Sequence, residues 1–234
     1  MDVNPLIVYM TVRDIKPAKY WFEQVDFMDK LIIRGFLHHE AHERAREFFL
    51  RHEEYTHILI VTDDVIAPPD YYKLIVKDYL DTGYPVISGY SNWDFTHNWL
   101  NITKKDLRRT YVAFADQYGF IKPIDTILTK EYPFMKVFFV GLPFTLIRRD
   151  VVEKIPFRPY KYITDMALGI YARRGIMFDL AFAIDCANAG IPIYVDLRLF
   201  CIHYGNTRSL INLKKLDKSI DYIRAKRSLK EVLG

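Results

Sequence analysis

The stretch that decides the fold is "THILIVTDDVIAPPDYY", residues 56–72, in which an apolar run leads directly into two adjacent acids, Asp63 and Asp64. The run "HILIV" is typical of a strand that is buried on both faces of a sheet. Pro68 and Pro69 then favour a turn and the start of a helix. These residues alone leave two interpretations of the acids open. Either they begin a loop and cap its backbone amides, or their carboxylates ligate a hard cation such as Mg²⁺ or Mn²⁺.

Strand and helix patterns alternate around this stretch. Short β-branched runs predict strands, and apolar residues at helical spacing predict the helices between them. The predicted strands cover 5–12, 30–36, 57–61 and 85–89, and the predicted helices cover 16–28, 40–54 and 69–82. This alternation predicts an α/β fold with a doubly wound, mostly parallel sheet. Ligands of such sheets bind at the carboxyl ends of the strands, and Asp63 and Asp64 lie at such an end.

The second half of the chain is less regular. Residues 91–135 mix polar and aromatic side chains and predict a hairpin or lid insertion. A strand and a short helix from Arg149 come next. A helix then runs from about Asp179 to Gly190, and "IPIYVD" over 191–196 predicts a further strand.

The tail, residues 211–234, predicts a basic amphipathic C-terminal helix that follows a single domain over residues 1–210. The apolar face of this helix would contain Leu213, Leu216, Ile220 and Ile223. Two interpretations of the helix are open. It packs on the core, or it makes a peripheral contact with an anionic membrane surface.

The composition is that of a globular protein. Of the 234 residues, 50% are hydrophobic and 26% are charged, which excludes a disordered chain. The net charge of +4 is modest and does not indicate nucleic-acid binding. The apolar runs are shorter than the roughly 20 residues that a membrane helix needs, and the first residues lack a signal-peptide pattern. We expect a cytoplasmic protein with no nucleic-acid partner.

Two further residues are candidates for chemistry. Asp179 lies at a predicted helix start, where an aspartate most often caps the helix, but its carboxylate also has the chemistry of a general base. His203 follows a strand in "LFCIHYG". Its neutral imidazole is either a packed core group or a metal ligand beside a carboxylate.

Four segments, taken in order, resemble a known family. "VTDDVIAPP" resembles a DxD segment whose final acid falls on Asp64, and Ala45-Arg46 stands where the family commonly has "ARN". "VGLPFTLIRRDVVEKIPF" is similar to the family's acceptor-side strand. "FDLAFAIDCANAGIPIYVD" is similar to "EDIDFCLRAKKAGFKIYVD", which places the catalytic acid on Asp179, and His203 falls where the family has a late metal-binding histidine. The chain thus resembles the GT-A fold glycosyltransferases, in particular the large inverting family 2 type.

The resemblance implies a metal-dependent inverting glycosyltransferase that moves a sugar from a nucleotide-diphosphate donor to a hydroxyl of a glycan, a glycolipid, another lipid-linked acceptor or a protein. It implies that Asp64 and His203 ligate Mn²⁺ or Mg²⁺, and that Asp179 deprotonates the acceptor hydroxyl. The residues that it implies for contact with the nucleotide donor are Thr11, Arg13, Arg46 and Asp63. For Arg46, a solvated position on its helix is an equally open interpretation.

Three positions depart from the family pattern. Thr62 replaces the first acid of the DxD segment, and Phe178 and Ala181 replace two acids around the catalytic one. These departures motivate the alternative of a catalytically degenerate GT-A-fold protein that binds glycans or serves as a scaffold. A phosphatase of the haloacid dehalogenase type is disfavoured, because the second residue after Asp63 is Val65 and not an aspartate.

Overall fold

The computed structural model describes residues 3–11, 15–36, 38–91, 114–116, 119–120, 133–159, 178–203 and 217–233. The strands are β1 (Pro5–Thr11), β2 (Lys30–Arg34), β3 (His57–Thr62), β4 (Val65–Ile66), β5 (Val86–Tyr90), β6 (Phe114–Asp116), β7 (Gly119–Phe120), β8 (Phe134–Val137), β9 (Phe139–Val140), β10 (Phe144–Arg148), β11 (Ile193–Phe200), β12 (Ile202–His203) and β13 (Ser219–Ile223). The helices are α1 (Lys16–Glu23), α2 (His38–Arg51), α3 (Pro69–Thr82), α4 (Arg149–Lys154), α5 (Phe178–Asn188) and α6 (Leu229–Leu233).

The largest sheet of the described residues has eight strands in the order β13-β2-β1-β3-β10-β5-β11-β8. The strands β2, β1, β3, β5 and β11 point in one direction, and β13, β10 and β8 run against them. The α/β fold with a doubly wound sheet is therefore confirmed. The sheet is mixed, because β10 runs antiparallel between β3 and β5.

Helices cover both faces of the sheet because its central strands are apolar on both. Residues of β1 alternate between the faces, so Leu6 and Val8 pack in one core while Ile7 and Tyr9 pack in the other. The first core is completed by α2, α4 and α5, and the second by α1 and α3. β3 is buried through its first five residues, as its unbroken apolar run predicted.

Helix α1 ends five residues before the predicted boundary at residue 28. Lys30, at the start of β2, donates hydrogen bonds from Nζ to the carbonyl oxygens of Phe22 (3.0 Å) and Glu23 (3.4 Å). A cation at the helix C-terminus satisfies carbonyl groups that have no partner within the helix. Phe27 and Met28 are then buried in the core from the loop that follows α1.

Within the 91–135 insertion, β6 and β7 form an antiparallel pair, whereas residues 134 and 135 belong to β8 of the large sheet. β6 pairs with β7, and its other edge pairs with β9. The predicted hairpin is therefore present at β6 and β7.

The prediction of one helix over 211–234 is wrong for the described part of the tail. Residues 219–223 form β13, which pairs antiparallel with β2 at the edge of the sheet, and only α6, a five-residue helix, follows. The free edge of β2 offers hydrogen-bonding groups that override the helical spacing of the tail's apolar residues. Membrane contact through this tail was based on that helix and stays a prediction. None of the helices in the described residues combines the length and apolarity needed to cross a membrane.

Candidate functional site

The chain turns at Asp63 and Asp64, where β3 ends. The next strand, β4, belongs to a two-stranded ribbon with β12. β4 pairs antiparallel with β12, so that His203 lies opposite Val65. This pairing brings Nε2 of His203 to 3.0 Å from Oδ2 of Asp64. The structure therefore brings together the two residues that the sequence predicted as metal ligands, at the carboxyl end of β3.

A small apolar cluster supports the ribbon. Ile15 and Ala18, at the start of α1, pack with Ile66 of β4 and with Ile202 of β12. The side chains of His203 and Asp64 are only 13% and 11% exposed. Partial burial strengthens their interaction relative to water, so the imidazole and the carboxylate are held in a defined relative position.

The donor atoms of this pair suit a hard or borderline divalent cation. Carboxylate oxygen and imidazole nitrogen both ligate Mn²⁺, and Mg²⁺ takes carboxylate oxygens together with substrate phosphates. Within the described ranges, no group of three or more His, Cys, Asp and Glu side chains could hold a metal. The described residues therefore offer two side chains here, Asp64 and His203, as ligands for such a cation.

Thr11 ends β1 at the same edge of the sheet. Met10, the residue before it, is paired with Thr62 of β3, so Thr11 lies near the Asp pair along the sheet edge. The carbonyl oxygen of Thr11 accepts a hydrogen bond of 3.1 Å from the backbone N–H of Gly35. Gly35 has φ of 75°, which turns the chain sharply after β2. Arg13 lies outside the described residues.

Phe36 is a candidate that the sequence analysis missed. Its ring is partly buried beside the end of β2, with the Arg44 guanidinium 5.7 Å and the Lys218 ammonium 4.9 Å from its centroid. Aromatic rings stack nucleobases, and the two cations near this ring would attract phosphate. Sequence alone could not reveal it, because Lys218 comes from the tail.

Asp179 lies in the first turn of α5, one residue after the helix begins. Its Oδ1 accepts a hydrogen bond of 2.8 Å from the backbone N–H of Leu180. Burial raises the pKa of the Asp179 carboxyl to about 7, although hydrogen bonds from backbone N–H groups oppose this rise. The side chain satisfies one N–H group in the first turn, but Asp179 lies inside the helix and does not occupy the predicted cap position. The carboxyl also has the acidity of a base that works near neutral pH.

Phe178, next to Asp179, is buried against α2. Its ring centroid lies 4.0 Å from that of His42, which is fully buried. Burial lowers the pKa of His42 to about 3, so this imidazole is neutral. Where the family resemblance expects an acid before the catalytic residue, this chain has an apolar ring that packs on a neutral histidine. Burial is the main cause of the raised pKa of Asp179.

The structure gives Arg46 a different role from the predicted nucleotide contact. Its Nε donates to the carbonyl oxygen of Val152 at 2.7 Å, and its Nη2 donates to that of Glu153 at 3.0 Å. Its Nη1 lies 2.8 Å from Oε1 of Glu43. Each guanidinium nitrogen is therefore bonded within the protein, and Arg46 fastens α2 to the end of α4. The solvated alternative is wrong, because the side chain is only 18% exposed, and a nucleotide contact of Arg46 stays a prediction.

Asp63 is buried, with 1% of its surface exposed, although it is adjacent to Asp64. The backbone N–H of Thr62 donates to the carbonyl oxygen of Pro143 at 3.3 Å, so the loop before β10 packs beside this turn. A contact between Asp63 and ribose or metal-bound water stays a prediction.

Comparisons with known proteins support the architecture. No protein-family model matches the chain, and no curated protein matches it in sequence. The crystal structure of A197 from STIV aligns with a TM-score of 0.56 and 20% identity, over 94% of this chain and 96% of that one. The structure of CMP:2-keto-3-deoxy-manno-octonic acid synthetase complexed with CTP aligns with a TM-score of 0.43 and 13% identity, over 82% and 88%. The chain therefore shares its fold with A197 along nearly its whole length.

Proposed function

We propose that this protein is a metal-dependent inverting glycosyltransferase that uses a nucleotide-diphosphate sugar as donor. The observation that carries the proposal is the contact of 3.0 Å between Asp64 and His203 at the carboxyl end of β3. Open α/β sheets bind their ligands at this edge. The resemblance of "VTDDVIAPP" to a DxD segment adds the expectation that the ligand is a nucleotide-sugar.

Asp64 and His203 would hold Mn²⁺ or Mg²⁺ together with oxygens of the donor diphosphate. When bound, such a cation neutralises charge that develops on the diphosphate as it leaves the sugar. The protein's own contribution is to hold the two ligands at a fixed separation on the ribbon of β4 and β12.

Asp179 would act as the general base. Its carboxylate takes the proton of the acceptor hydroxyl while the hydroxyl oxygen forms the new bond to the anomeric carbon. The bond from that carbon to the diphosphate oxygen breaks with its electron pair on the diphosphate, and attack from the opposite face inverts the anomeric configuration. A pKa of about 7 suits this role, because the group is ionised at slightly alkaline pH and still accepts a proton readily.

The nucleotide would lie across the ends of β1 and β2, with its base against Phe36. Lys218 and Arg44, whose charges lie over that ring, would favour a polyanionic ligand there. Thr11 borders this region, and Arg13 and Asp63 are proposed to contact the donor. The acceptor would be a hydroxyl-bearing glycan or glycolipid.

The first test is calorimetric titration of UDP, GDP, CDP and dTDP, each with and without Mn²⁺. We expect one nucleotide to bind with micromolar affinity that depends on Mn²⁺, and we expect Asp64→Ala to abolish the Mn²⁺ dependence. Asp70→Ala is the matched control, since the Asp70 side chain is 88% exposed in the first turn of α3. Absence of Mn²⁺-dependent binding by the folded wild-type protein for all four nucleotides contradicts the proposal.

A second candidate is a protein that binds nucleotide-sugar or glycan without turnover. The buried position of Phe178 against His42 favours it, because an acid that the family resemblance expects beside Asp179 is absent. An assay for release of nucleoside diphosphate from the donor, in the presence of candidate acceptors, separates the two functions. Tight binding with no release supports the second candidate.

A further inference from the structure

Strand β11 contains a bulge just before it delivers His203 to the site. Val195 is paired with Ser88 of β5, and the next pair is Phe200 with Tyr90. Between these pairs β11 advances by five residues while β5 advances by two. The excess length has to be absorbed in the segment from Asp196 to Leu199, and such bulges re-aim a strand.

Asp196 holds the bulge from within. Its side chain is fully buried, and Oδ1 accepts hydrogen bonds of 2.9 Å from both the backbone N–H and the Nε of Arg198. Oδ2 accepts a third bond of 3.0 Å from Nη2 of Arg198. One carboxylate therefore closes the turn through the main chain and fixes the arginine side chain as well, with charge-assisted bonds that are stronger than neutral ones.

Other groups fasten the middle of the bulge. The backbone N–H of Leu197 donates to the carbonyl oxygen of Pro133 at 2.7 Å, and the Tyr90 hydroxyl donates to the carbonyl oxygen of Leu197 at 3.3 Å. Arg198 also donates from Nη2 to Asp78 of α3. Two buried carboxylates, Asp78 and Asp196, thus share a single guanidinium. The bulge is consequently tied to the neighbouring strand, to the chain before β8 and to a helix.

The bulge determines where His203 arrives. After it, the backbone N–H of Cys201 donates to the carbonyl oxygen of Tyr90 at 2.7 Å, and two residues later His203 pairs with Val65. Successive side chains of a strand point to opposite faces, so a slip of one residue would turn the imidazole away from Asp64.

We propose that Asp196 is a positioning residue for His203, because it fixes the bulge in β11. The bulge determines which face of the chain that follows carries the His203 side chain. The consequence for metal binding rests on the proposed function, whereas the placement of His203 beside Asp64 does not. Asp196 acts through the main chain and through Arg198, and it touches neither ligand of the proposed cation.

The test measures the contact between His203 and Asp64 without any metal. The resonances of the His203 ring nitrogens are recorded by NMR and assigned by their loss in His203→Gln. Spectra are compared between proteins with Asp64 and proteins with the Asp64→Asn substitution. In the wild-type protein we expect Asp64→Asn to shift these resonances. With Asp196→Ala we expect that shift to disappear, because the imidazole no longer faces residue 64.

Asp150→Ala is the matched control. Asp150 also pairs with an arginine two residues away, Arg148, but its side chain is 59% exposed. Asp150 follows the end of β10 that pairs with the start of β3, whereas the ribbon follows the carboxyl end of β3. We expect this control to keep the wild-type shift. If Asp196→Ala does not fold, Asp196→Asn carries the test, since it keeps an acceptor for the backbone N–H and loses the charge that holds Arg198. A folded Asp196 variant with the full wild-type shift overturns the proposal.

A second measurement separates this inference from the proposed function. If the protein binds a nucleotide with Mn²⁺, Asp196→Ala should weaken the Mn²⁺-dependent affinity at least tenfold and leave metal-free nucleotide affinity unchanged. The loss should be absent in a His203→Ala background. If the wild-type protein shows no Mn²⁺-dependent binding, the proposed function fails, while the NMR result still decides the role of Asp196.

Discussion

At the residue scale, Asp179 shows how an apolar setting prepares an acid for chemistry. An ordinary aspartate has a pKa near 4 and is a weak base at neutral pH. Burial raises the pKa of Asp179 to about 7, and the adjacent Phe178 packs on a neutral histidine and not on a cation that would oppose the rise. At position 178, where the resemblance expects an acid, a buried aromatic ring therefore adjoins the proposed base.

Replacement of Asp179 should remove catalysis and spare donor binding. We expect Asp179→Asn to lower the transfer rate by about 10²-fold or more, since general-base catalysis contributes roughly 10² to 10⁴. In the wild-type protein the rate should fall about tenfold for each pH unit below 7, because only the ionised carboxylate accepts the proton. Asp185→Asn, on the same helix, should keep the wild-type rate. A transfer rate that stays constant down to pH 5 contradicts this role.

At the element scale, the sequence pattern predicted those helices and strands that contacts between neighbouring residues determine. The sequence predicted the buried run of β3, the helix opened by Pro69 and a glycine, Gly190, just after the end of α5. The strand β13 was not, because Ile220 and Ile223 fit a helical face equally well and the partner strand β2 lies about 190 residues earlier. The contact between Asp64 and His203 was suggested only by family resemblance. The contact of Arg198 with Asp78, which ties the bulge of β11 to α3, joins residues 120 positions apart and follows from no local pattern.

The close approach of β5 and β11 makes Gly89 sensitive to substitution. A Cβ at Gly89 would lie 2.8 Å from the carbonyl oxygen of Leu199, which is backbone and has no freedom to yield cheaply. We expect Gly89→Ala to lower the free energy of unfolding by about 1 to 3 kcal/mol, as overpacking does. Urea denaturation monitored by circular dichroism measures it.

Gly190→Ala provides the contrasting control. Gly190 has φ of +70° and nothing within 4 Å of an added Cβ. The loss of stability in Gly190→Ala should therefore arise from backbone conformation alone and amount to about 1 to 2 kcal/mol. Only Gly89→Ala should also weaken the coupling between Asp64 and His203, since it displaces β11. Equal effects of both variants on that coupling would show that the close contact of β5 with β11 has no special part in it.

The contacts of Asp78 in α3 with Arg198 and Asp196 in β11 should make the free energy of unfolding depend on pH. Burial, together with the neighbouring Asp196, raises the pKa of Asp78 to about 8. Between pH 4 and 8 the folded protein keeps a proton that the unfolded chain releases, so this contribution is complete below pH 4 and is lost as the pH rises towards 8. From pH 5 to 8, wild-type stability should fall by on the order of 2 kcal/mol more than that of Asp78→Asn. Urea titrations at several pH values measure the difference, and parallel curves would contradict the assignment.

At the scale of the whole molecule, the C-terminal segment binds the amino-terminal half of the sheet at several points. Asp29 accepts hydrogen bonds of 2.6 Å from the hydroxyls of Tyr55 and Tyr222, and one of 2.7 Å from the backbone N–H of Ala225. Arg227 forms an ion pair with Asp26. Together with the pairing of β13 and β2, these contacts cover what would otherwise be an open edge of the sheet.

Removal of residues 217–234 should therefore lower stability and expose the edge of β2. We expect Tm to fall by roughly 5 to 10 °C, as a loss of a few kcal/mol does in a chain of this size. We also expect the truncated protein to self-associate, because an unpaired strand edge recruits other chains. Differential scanning calorimetry and analytical ultracentrifugation measure the two effects. Tyr222→Phe, which keeps the strand and removes one hydroxyl, should remain in the wild-type oligomeric state.

The order of the strands has a consequence for the nascent chain. Asp64 follows the third strand to be synthesised, but β10, which separates β3 from β5, is formed from residues 144–148, and His203 comes still later. β1, β2 and β3 can pair through short crossovers, whereas the later pairings must close much longer loops at a greater cost in chain entropy. A growing polypeptide therefore displays Asp64 long before its partner leaves the ribosome. A ligand that needs both side chains can stabilise only the finished protein, so it selects completed molecules over partly folded ones.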